Sequence, residues 1–200
     1  MIVEILMGAG LVLAGAAAAR VLLRRPAEPN GVNEGREDND RDPSPEGPRG
    51  LLVGDVLLHA DTELWLAGML ELDEEGFVAR LFPTPGGLRA DWVAQLDEEA
   101  TDLATLSKTD EVPAGAVPES LPIGGRRLTL ERRGHAVVRA QGEHLPRTGG
   151  KGAYCLLSDA GGRILIVLDF EKAPRLALTG DRIERHMIDL LPGGDLDREA

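Results

Sequence analysis

Most of the chain consists of short apolar runs separated by turn sequences. From Leu51 onward, runs of five to ten residues rich in Leu, Val and Ala alternate with segments rich in Gly, Pro and Asp. This spacing is typical of antiparallel all-β domains, because each run is long enough for one strand and each turn reverses the chain. We therefore predict a β domain over residues 51–192 and a tail over 193–200. The strands predicted in its first half are 55–60, 63–72, 77–82 and 88–96.

The second half of the domain follows the same pattern. Its predicted strands are 126–131, 136–141, 153–157, 163–171 and 180–191, with a turn at 132–135 between the first two. Residues 96–108 are predicted to form a short helix or a turn. Residues 110–122 contain three prolines and are predicted to form an irregular loop. The last segment alternates well enough for a closing strand, with a terminal helix as the alternative.

Two sequence patterns recur at a similar offset. Leu96-Asp97-Glu98-Glu99 lies 72 residues before Leu168-Asp169-Phe170-Glu171, and each follows an apolar run that comes after a Gly-Gly turn. Gly54-Asp55 and Gly124-Gly125 open the two halves at an offset of 70. The recurrence suggests a duplicated β unit, that is, two small sheets or half-barrels packed around one core.

The N-terminal 25 residues have a different pattern. Met1 to Leu23 form one apolar run, followed at once by Arg24 and Arg25. About 20 apolar residues at 1.5 Å rise span a bilayer core of roughly 30 Å. We therefore predict a transmembrane anchor over 1–25, with the N-terminus outside and the remaining chain in the cytoplasm because the flanking bases follow the run.

Two other interpretations of this segment remain open. Small residues at 14–19 offer cleavage sites for a signal peptidase, although Glu4 stands where a signal peptide carries a base. A helix lying on the lipid surface is the third possibility. Along a membrane-spanning helix, Gly10, Ala14 and Ala18 would share one face, a small-residue spacing that favours helix–helix association and a possible homo-oligomer.

A polar linker is predicted between the anchor and the β domain. Residues 26–50 hold five prolines, four glycines, seven acids and three arginines. This composition buries too little apolar surface to offset the entropy of ordering, so we predict disorder. A flexible coil of this length spans about 25–30 Å.

Composition and charge exclude some partners. The net charge is −12 and the isoelectric point is near 4.8. Nucleic-acid binding needs a clustered basic surface, so we predict no nucleic-acid partner. The same charge repels anionic lipid. Cys155 is the single cysteine, which excludes an intrachain disulfide and agrees with a cytoplasmic domain.

No catalytic motif is present in the sequence. The four histidines, His59, His135, His144 and His186, have no metal-ligand spacing, and Cys155 has no CxxC partner. The Gly149–Gly152 loop has Leu145 where a phosphate-binding loop needs glycine. No serine lies in a G-x-S-x-G sequence. We predict no enzyme activity and no cofactor.

Two acidic clusters and two tryptophans are the remaining candidates for binding. The clusters are Glu71/Asp73/Glu74/Glu75 and Asp97/Glu98/Glu99/Asp102. They are interpreted as solvated turns, with binding of a divalent cation or a polyamine as the alternative. Trp65 and Trp92 lie within apolar runs, so both are predicted to pack in the core.

Several short motifs resemble those of the bacterial domain of unknown function 4178 family. They are Gly54-Asp55, the strand ending at Gly68, Trp92-Val93 followed by acids, and the run ending Asp169-Phe170-Glu171. The resemblance covers about residues 51–192, although a tryptophan expected near Phe170 is missing. Members of this family tend to be encoded near small membrane proteins and polyamine-synthase-like enzymes. The resemblance therefore implies an accessory role in a membrane-associated system, and it implies no catalytic residues.

The sequence thus predicts a single-pass protein of the cell membrane whose cytoplasmic β domain binds a protein partner. The alternative is a domain that binds a small ligand, either a polyamine or a divalent cation.

Overall fold

The computed structural model describes residues 50–87 and 90–193. Within them the fold is all β, as predicted, and a single 3₁₀ turn, Arg185–Met187, precedes the last strand. The strands are β1 (Val56–His59), β2 (Thr62–Trp65), β3 (Gly68–Glu74), β4 (Phe77–Pro83), β5 (Trp92–Gln95), β6 (Leu103–Lys108), β7 (Ser120–Ile123), β8 (Arg126–Gly142), β9 (Lys151–Ser158), β10 (Arg163–Phe170), β11 (Leu176–Ile183) and β12 (Ile188–Leu191).

The anchor, nearly all of the linker and most of the tail predicted from the sequence lie outside the described residues. The association face of Gly10, Ala14 and Ala18 lies outside them as well. Within residues 50–87 and 90–193, no helix has the length and apolar character needed to cross a bilayer.

Eight strands close into an antiparallel barrel. Their order is β3-β4-β5-β6-β11-β10-β9-β8, and β8 pairs back with β3. The barrel therefore consists of two four-stranded meanders, β3–β6 and β8–β11, which meet at the β6–β11 and β3–β8 seams. Closure gives every barrel strand two neighbours and so removes exposed strand edges from this sheet.

The barrel interior is filled by alternate side chains from all eight strands. Most are Leu, Ala and Ile, and three are aromatic: Trp92, Tyr154 and Phe170. Each of these aromatic residues is at most 8% exposed. An eight-stranded barrel is just wide enough for side chains to fill, so its interior forms the main core.

Two further apolar clusters cover the outside of the barrel. A three-stranded sheet, ordered β12-β1-β2, contributes Leu57 and Leu64 to a cluster with Phe82 and Val93 of the barrel. We call it the small sheet. On another side, β7 and the loop before it contribute residues to a cluster with outward-facing side chains of β9 to β11. Both clusters bury apolar side chains that the closed barrel alone would leave in water.

Glycines permit the close approach of strands at both seams. Gly68 of β3 lies opposite Gly142 of β8, and a Cβ atom on Gly68 would overlap the carbonyl oxygen of Glu143. At the other seam, a Cβ atom on Gly180 would overlap the carbonyl oxygen of Thr105. Gly68, a position of the family resemblance, therefore has a packing role.

Strand β8 corrects one prediction. Residues 126–131 and 136–141 form one strand of 17 residues, and the turn predicted at 132–135 is wrong. The pairing with β9 shifts register between Leu130 and Arg132, which identifies a bulge at Glu131. The polar residues mistaken for a turn lie within a continuous strand, where Arg132, Arg133 and His135 are exposed. A bulge changes strand direction without ending the strand.

Three other boundaries differ from the predictions. The predicted strand 63–72 is two strands, because the chain leaves the small sheet after Trp65 and enters the barrel at Gly68. Residues 103–108 form β6, so the prediction of only a helix or a turn over 96–108 is wrong. The predicted strand 180–191 is divided between β11 and β12 by the 3₁₀ turn.

Candidate functional site

A cleft of about 630 Å³ lies at one end of the barrel. Four pieces of chain line it: residues 73–75 at the end of β3, residues 135–137 within β8, residues 151–153 of β9 and residues 169–171 at the end of β10. The volume is within the range of small-ligand sites. The fold therefore brings three residues of the first acidic cluster, Asp73, Glu74 and Glu75, to one site with the Asp169–Glu171 motif, which is far away in sequence. The fourth, Glu71, lies outside the cleft and pairs with Arg80 and Arg139.

Two of the five carboxylates in the cleft belong to ion pairs that support the fold. Arg139 Nη1 donates to Asp73 Oδ2 at 2.9 Å. Arg175 donates to both oxygens of Asp169, at 2.6 and 2.8 Å. Arg175 also donates to the carbonyl oxygens of Pro113 and Gly115, at 2.7 and 2.6 Å, so the pair holds the loop before β7 against the barrel.

Glu74 is held by hydrogen bonds from two strands. The buried Tyr154 hydroxyl donates to Glu74 Oε2, and the His135 backbone N–H donates to Oε1 at 3.2 Å. A Cβ atom at Gly134 would overlap this carboxylate, so glycine is what allows Glu74 to lie over β8. Burial, with the neighbouring Glu74, raises the pKa of Tyr154 to about 12, and the phenol stays protonated at neutral pH.

An aromatic stack extends this group of side chains. The Phe77 ring lies parallel to the Tyr154 ring with centroids 5.4 Å apart. The Arg132 guanidinium lies over the Phe77 ring, 4.4 Å from its centroid. Cation–π and ring stacking together fix the β3–β4 turn beside the cleft.

Glu75 and Glu171 are the carboxylates that remain available to a ligand. Both are exposed, and neither has an ion-pair partner in the described part of the chain. The buried Ala136 and Phe170 form an apolar floor, and the exposed Lys151 and His135 also line the cleft. This arrangement can hold a cation that carries an apolar stem, because the charge meets carboxylates while the stem covers the floor.

The second acidic cluster has a structural role instead. Asp97 accepts hydrogen bonds from the Thr101 N–H at 2.9 and 3.0 Å, which closes the turn between β5 and β6. Asp102 pairs with Arg182 at 3.0 Å, and burial raises its pKa despite that arginine. Glu98 and Glu99 are exposed on the same turn.

The histidines and Cys155 do not converge on one site. Of the four histidines, His135 alone lines the cleft. Among the described residues, no group of three or more His, Cys, Asp or Glu side chains has the arrangement of a metal site.

The positions of the family resemblance are mostly structural. Gly54 has a φ of +93°, which favours glycine in the turn before β1. The buried carboxylate of Asp55 accepts from the Leu52 N–H at 3.0 Å and the Gly193 N–H at 2.9 Å. Trp92 is 3% exposed and packs in the core, as predicted. Glu171 is the position that the cleft leaves free for binding.

Trp65 contradicts its prediction. It is 45% exposed on β2, at the outer face of the small sheet. An apolar run in a short strand does not reveal which side of the sheet is covered, because both sides of that strand carry apolar residues.

Three residues were not predicted from the sequence: Lys151, which lines the cleft, and Gly134 and Tyr154, which contact Glu74. Tyr154 is the chain's single tyrosine, and its position in an apolar run was the one available signal. The contact of Glu74 with Gly134 joins residues 60 positions apart and has no local sequence pattern. Comparison of the chain with models of protein families, with curated proteins and with solved structures gives no match.

Proposed function

We propose that this chain is a membrane-anchored accessory protein, without catalytic activity, whose barrel domain binds a protein partner through the cleft. One observation carries the proposal: a concave site combines a buried apolar floor with the exposed carboxylates Glu75 and Glu171, which have no ion-pair partner among the described residues. We assign the cleft to a lysine or arginine side chain of the partner, with its aliphatic stem on Phe170 and its charge between the two carboxylates.

The energetics favour a partner that uses both features. An exposed ion pair contributes only about 0–1 kcal/mol. Burial of apolar surface contributes roughly 25 cal/mol per Å², so contact with the floor supplies much of the affinity. The net charge of −12 accelerates encounter with a basic partner and makes the association rate sensitive to salt.

Binding of a polyamine is the second candidate, and the same cleft favours it. A polyamine also presents ammonium groups on an apolar stem, and the cleft volume suits a small ligand. A divalent cation would need several free carboxylate oxygens at one point. Glu75 and Glu171 would have to supply them, since Asp73 and Asp169 are engaged by arginines.

The membrane anchor over 1–25 and the linker over 26–50 belong to the proposal. The anchor would hold the barrel domain in the cytoplasm beside membrane-bound partners. The resemblance to the domain of unknown function 4178 family supports the same accessory role, and membership of that family remains a prediction.

We also propose that the two four-stranded meanders descend from one duplicated β unit. The equivalent segments 96–99 and 168–171 lie at or just after the third strand of each meander, β5 and β10. This correspondence supports the duplication that the offset in the sequence suggests.

Photo-crosslinking in native membranes tests the cleft assignment. The full-length chain carries a photoreactive residue in place of Lys151 at the cleft, and crosslinked peptides are identified by mass spectrometry. We expect a crosslink to a partner segment that contains lysine or arginine, and we expect E75Q/E171Q to abolish it. The matched control, E98Q/E99Q, removes the same charge from an exposed turn and should keep the crosslink.

Each other outcome has a defined meaning. Equal crosslinking by both double variants would contradict the cleft assignment. Calorimetry of the full-length protein with spermidine distinguishes the second candidate. Heat that persists at about physiological ionic strength, where exposed charges are screened beyond roughly 8 Å, and that disappears in E75Q/E171Q would support polyamine binding instead.

A further inference from the structure

Most of the large exposed hydrophobic residues lie in or next to the small sheet. Five large hydrophobic residues are exposed in the described part of the chain: Leu52, Trp65, Val137, Met187 and Leu191. All but Val137 belong to the small sheet or to the residues just before its strands. Contiguous exposed apolar surface of this kind marks an interaction site more often than a neutral surface.

The strand register defines the outer face of the small sheet. Leu191, Val56 and Trp65 lie directly opposite one another across β12, β1 and β2, and form an apolar row. Two residues along each strand, Asp189, Leu58 and Glu63 form a second row on the same face. We call these six residues the outer face. The alternate residues Leu57 and Leu64 point to the barrel and are buried.

The second row adds charge to the apolar surface. Glu63 and Asp189 are exposed on either side of Leu58, and neither has an ion-pair partner within residues 50–87 and 90–193. Two strand spacings place their backbones about 10 Å apart. A cavity of about 490 Å³ lies along this row and is lined by Leu58, Glu63, Met187 and Asp189, among others.

This charge pattern disfavours two other occupants. A second copy of the chain would place the acidic row against another acidic row or against apolar side chains, and both arrangements cost free energy. The face spans only three strands of four residues. That is small compared with the roughly 800 Å² per partner that a stable dimer buries. Anionic lipid is repelled by the same carboxylates.

We infer that the outer face binds an amphipathic basic segment of a partner protein. Apolar side chains of that segment cover Trp65, Val56 and Leu191, while a lysine or arginine reaches between Glu63 and Asp189. The exposed Trp65, at one end of the apolar row, supplies the largest side chain to the contact, in agreement with the enrichment of tryptophan among energetically dominant interface residues. The assignment does not depend on the cleft, which is lined by different residues.

Tryptophan fluorescence gives a direct test, because the two tryptophans of the chain differ in exposure. Trp65 is 45% exposed and Trp92 is 3% exposed, so acrylamide quenches mainly Trp65. The probe is a synthetic peptide of alternating leucine and lysine, added to the full-length protein in phosphatidylcholine nanodiscs. We expect the peptide to protect Trp65 from quenching. Peptides of leucine and glutamate, or of serine and lysine, should give no protection.

Variants locate the binding site. E63Q/D189N should weaken the leucine–lysine peptide roughly tenfold, which corresponds to about 1.4 kcal/mol. Calorimetry should show that W65S weakens the affinity for the peptide by at least as much. E98Q/E99Q removes two charges from an exposed turn between β5 and β6 and should bind like the wild type. The cleft variant E75Q/E171Q is measured alongside to test for binding at the cleft. Unfolding midpoints of all variants show that they are folded.

Several results would overturn the inference. Binding of the peptide to W65S as tightly as to the wild type would place it elsewhere, and equal binding of the leucine–glutamate peptide would remove the role of charge. Protection of Trp65 in nanodiscs before peptide is added would identify lipid as the occupant. A dimer that sedimentation detects in the wild type and not in W65S would identify a second copy. Loss of peptide binding in E75Q/E171Q alone would assign it to the cleft.

Discussion

At the residue scale, Tyr154 joins three parts of the barrel end. Its ring belongs to the interior and stacks on Phe77, while its hydroxyl donates to Glu74 across β8. The hydrogen bond depends on Gly134, whose missing side chain leaves room for the carboxylate. A phenol in this position favours its neutral form, because the ionised oxygen would lose solvation and face a carboxylate.

This environment predicts a pH dependence of stability. The phenol ionises near pH 10 in the unfolded chain and at about 12 in the folded protein. Between these values the folded state binds more protons, so the free energy of unfolding falls as pH rises from about 10 to about 12. Below pH 10 the contribution is fully present. Y154F has no ionisable group here and should lack this part of the slope in urea unfolding measured across the same range.

Absorbance provides an independent measurement of the same group. Tyr154 is the only tyrosine, so the tyrosinate band reports its ionisation alone. We expect a midpoint near 12 in the folded protein and near 10 in denaturant. A native midpoint near 10 would contradict the buried hydrogen bond to Glu74.

At the element scale, the barrel depends on two seams that join its meanders. Hairpin turns within each meander set the pairing of its strands, but the seams pair strands distant in sequence, such as β3 with β8. Gly68 and Gly180 allow these pairs to approach. Arg175 also joins separate parts of the fold, since it links Asp169 of β10 to the loop before β7.

We therefore expect G68A to destabilise the protein. A Cβ atom there overlaps the Glu143 carbonyl oxygen, and backbone cannot move aside as a flexible side chain can. Overpacking of this kind costs about 3 kcal/mol, the upper end of its usual range. Urea unfolding of the full-length protein, followed by the fluorescence of the buried Trp92, measures the change.

The control for G68A is G125A in the β7–β8 hairpin. Gly125 has a φ of +77° and open space around its Cα atom, so alanine meets only backbone strain, about 1–2 kcal/mol. A loss for G68A no greater than that for G125A would indicate that the seam tolerates a side chain.

At the scale of the whole molecule, the sequence predicts which segments form strands better than it predicts the closure of the barrel. Short apolar runs are local, and they give the all-β class and most of the strands. The sequence predicts two strands in place of the long strand β8, because the exposed Arg132 and Arg133 are typical of a turn. In the structure the strand has a bulge and continues past both residues. The acidic cleft was not predictable as one site, because the contacts that join Glu74 to Tyr154 span 80 residues.

The exposure of Trp65 illustrates the same limit. Trp65 lies in the apolar run from Leu64 to Leu70, which is typical of a core strand. Only the assembled fold shows that the inner side of β2 covers the barrel while its outer side meets solvent. The candidate binding surfaces thus depend on tertiary packing, whereas the individual strands depend mainly on local pattern.

The two ends of the described domain meet at Asp55, and we expect this contact to contribute to the free energy of unfolding of the whole domain. Its carboxylate accepts from the N–H groups of Leu52 and Gly193, 138 residues from Asp55 in the second case. D55A leaves both donors without that acceptor, so we expect a loss of roughly 2 kcal/mol in the free energy of unfolding and faster amide exchange in β12. D55N keeps one acceptor oxygen and should lose less, while D110A, at an exposed position, should change little. If D55A unfolded at the same urea concentration as D110A, the closure of the domain would depend on the pairing of β1 with β12 and on the apolar contacts of the small sheet.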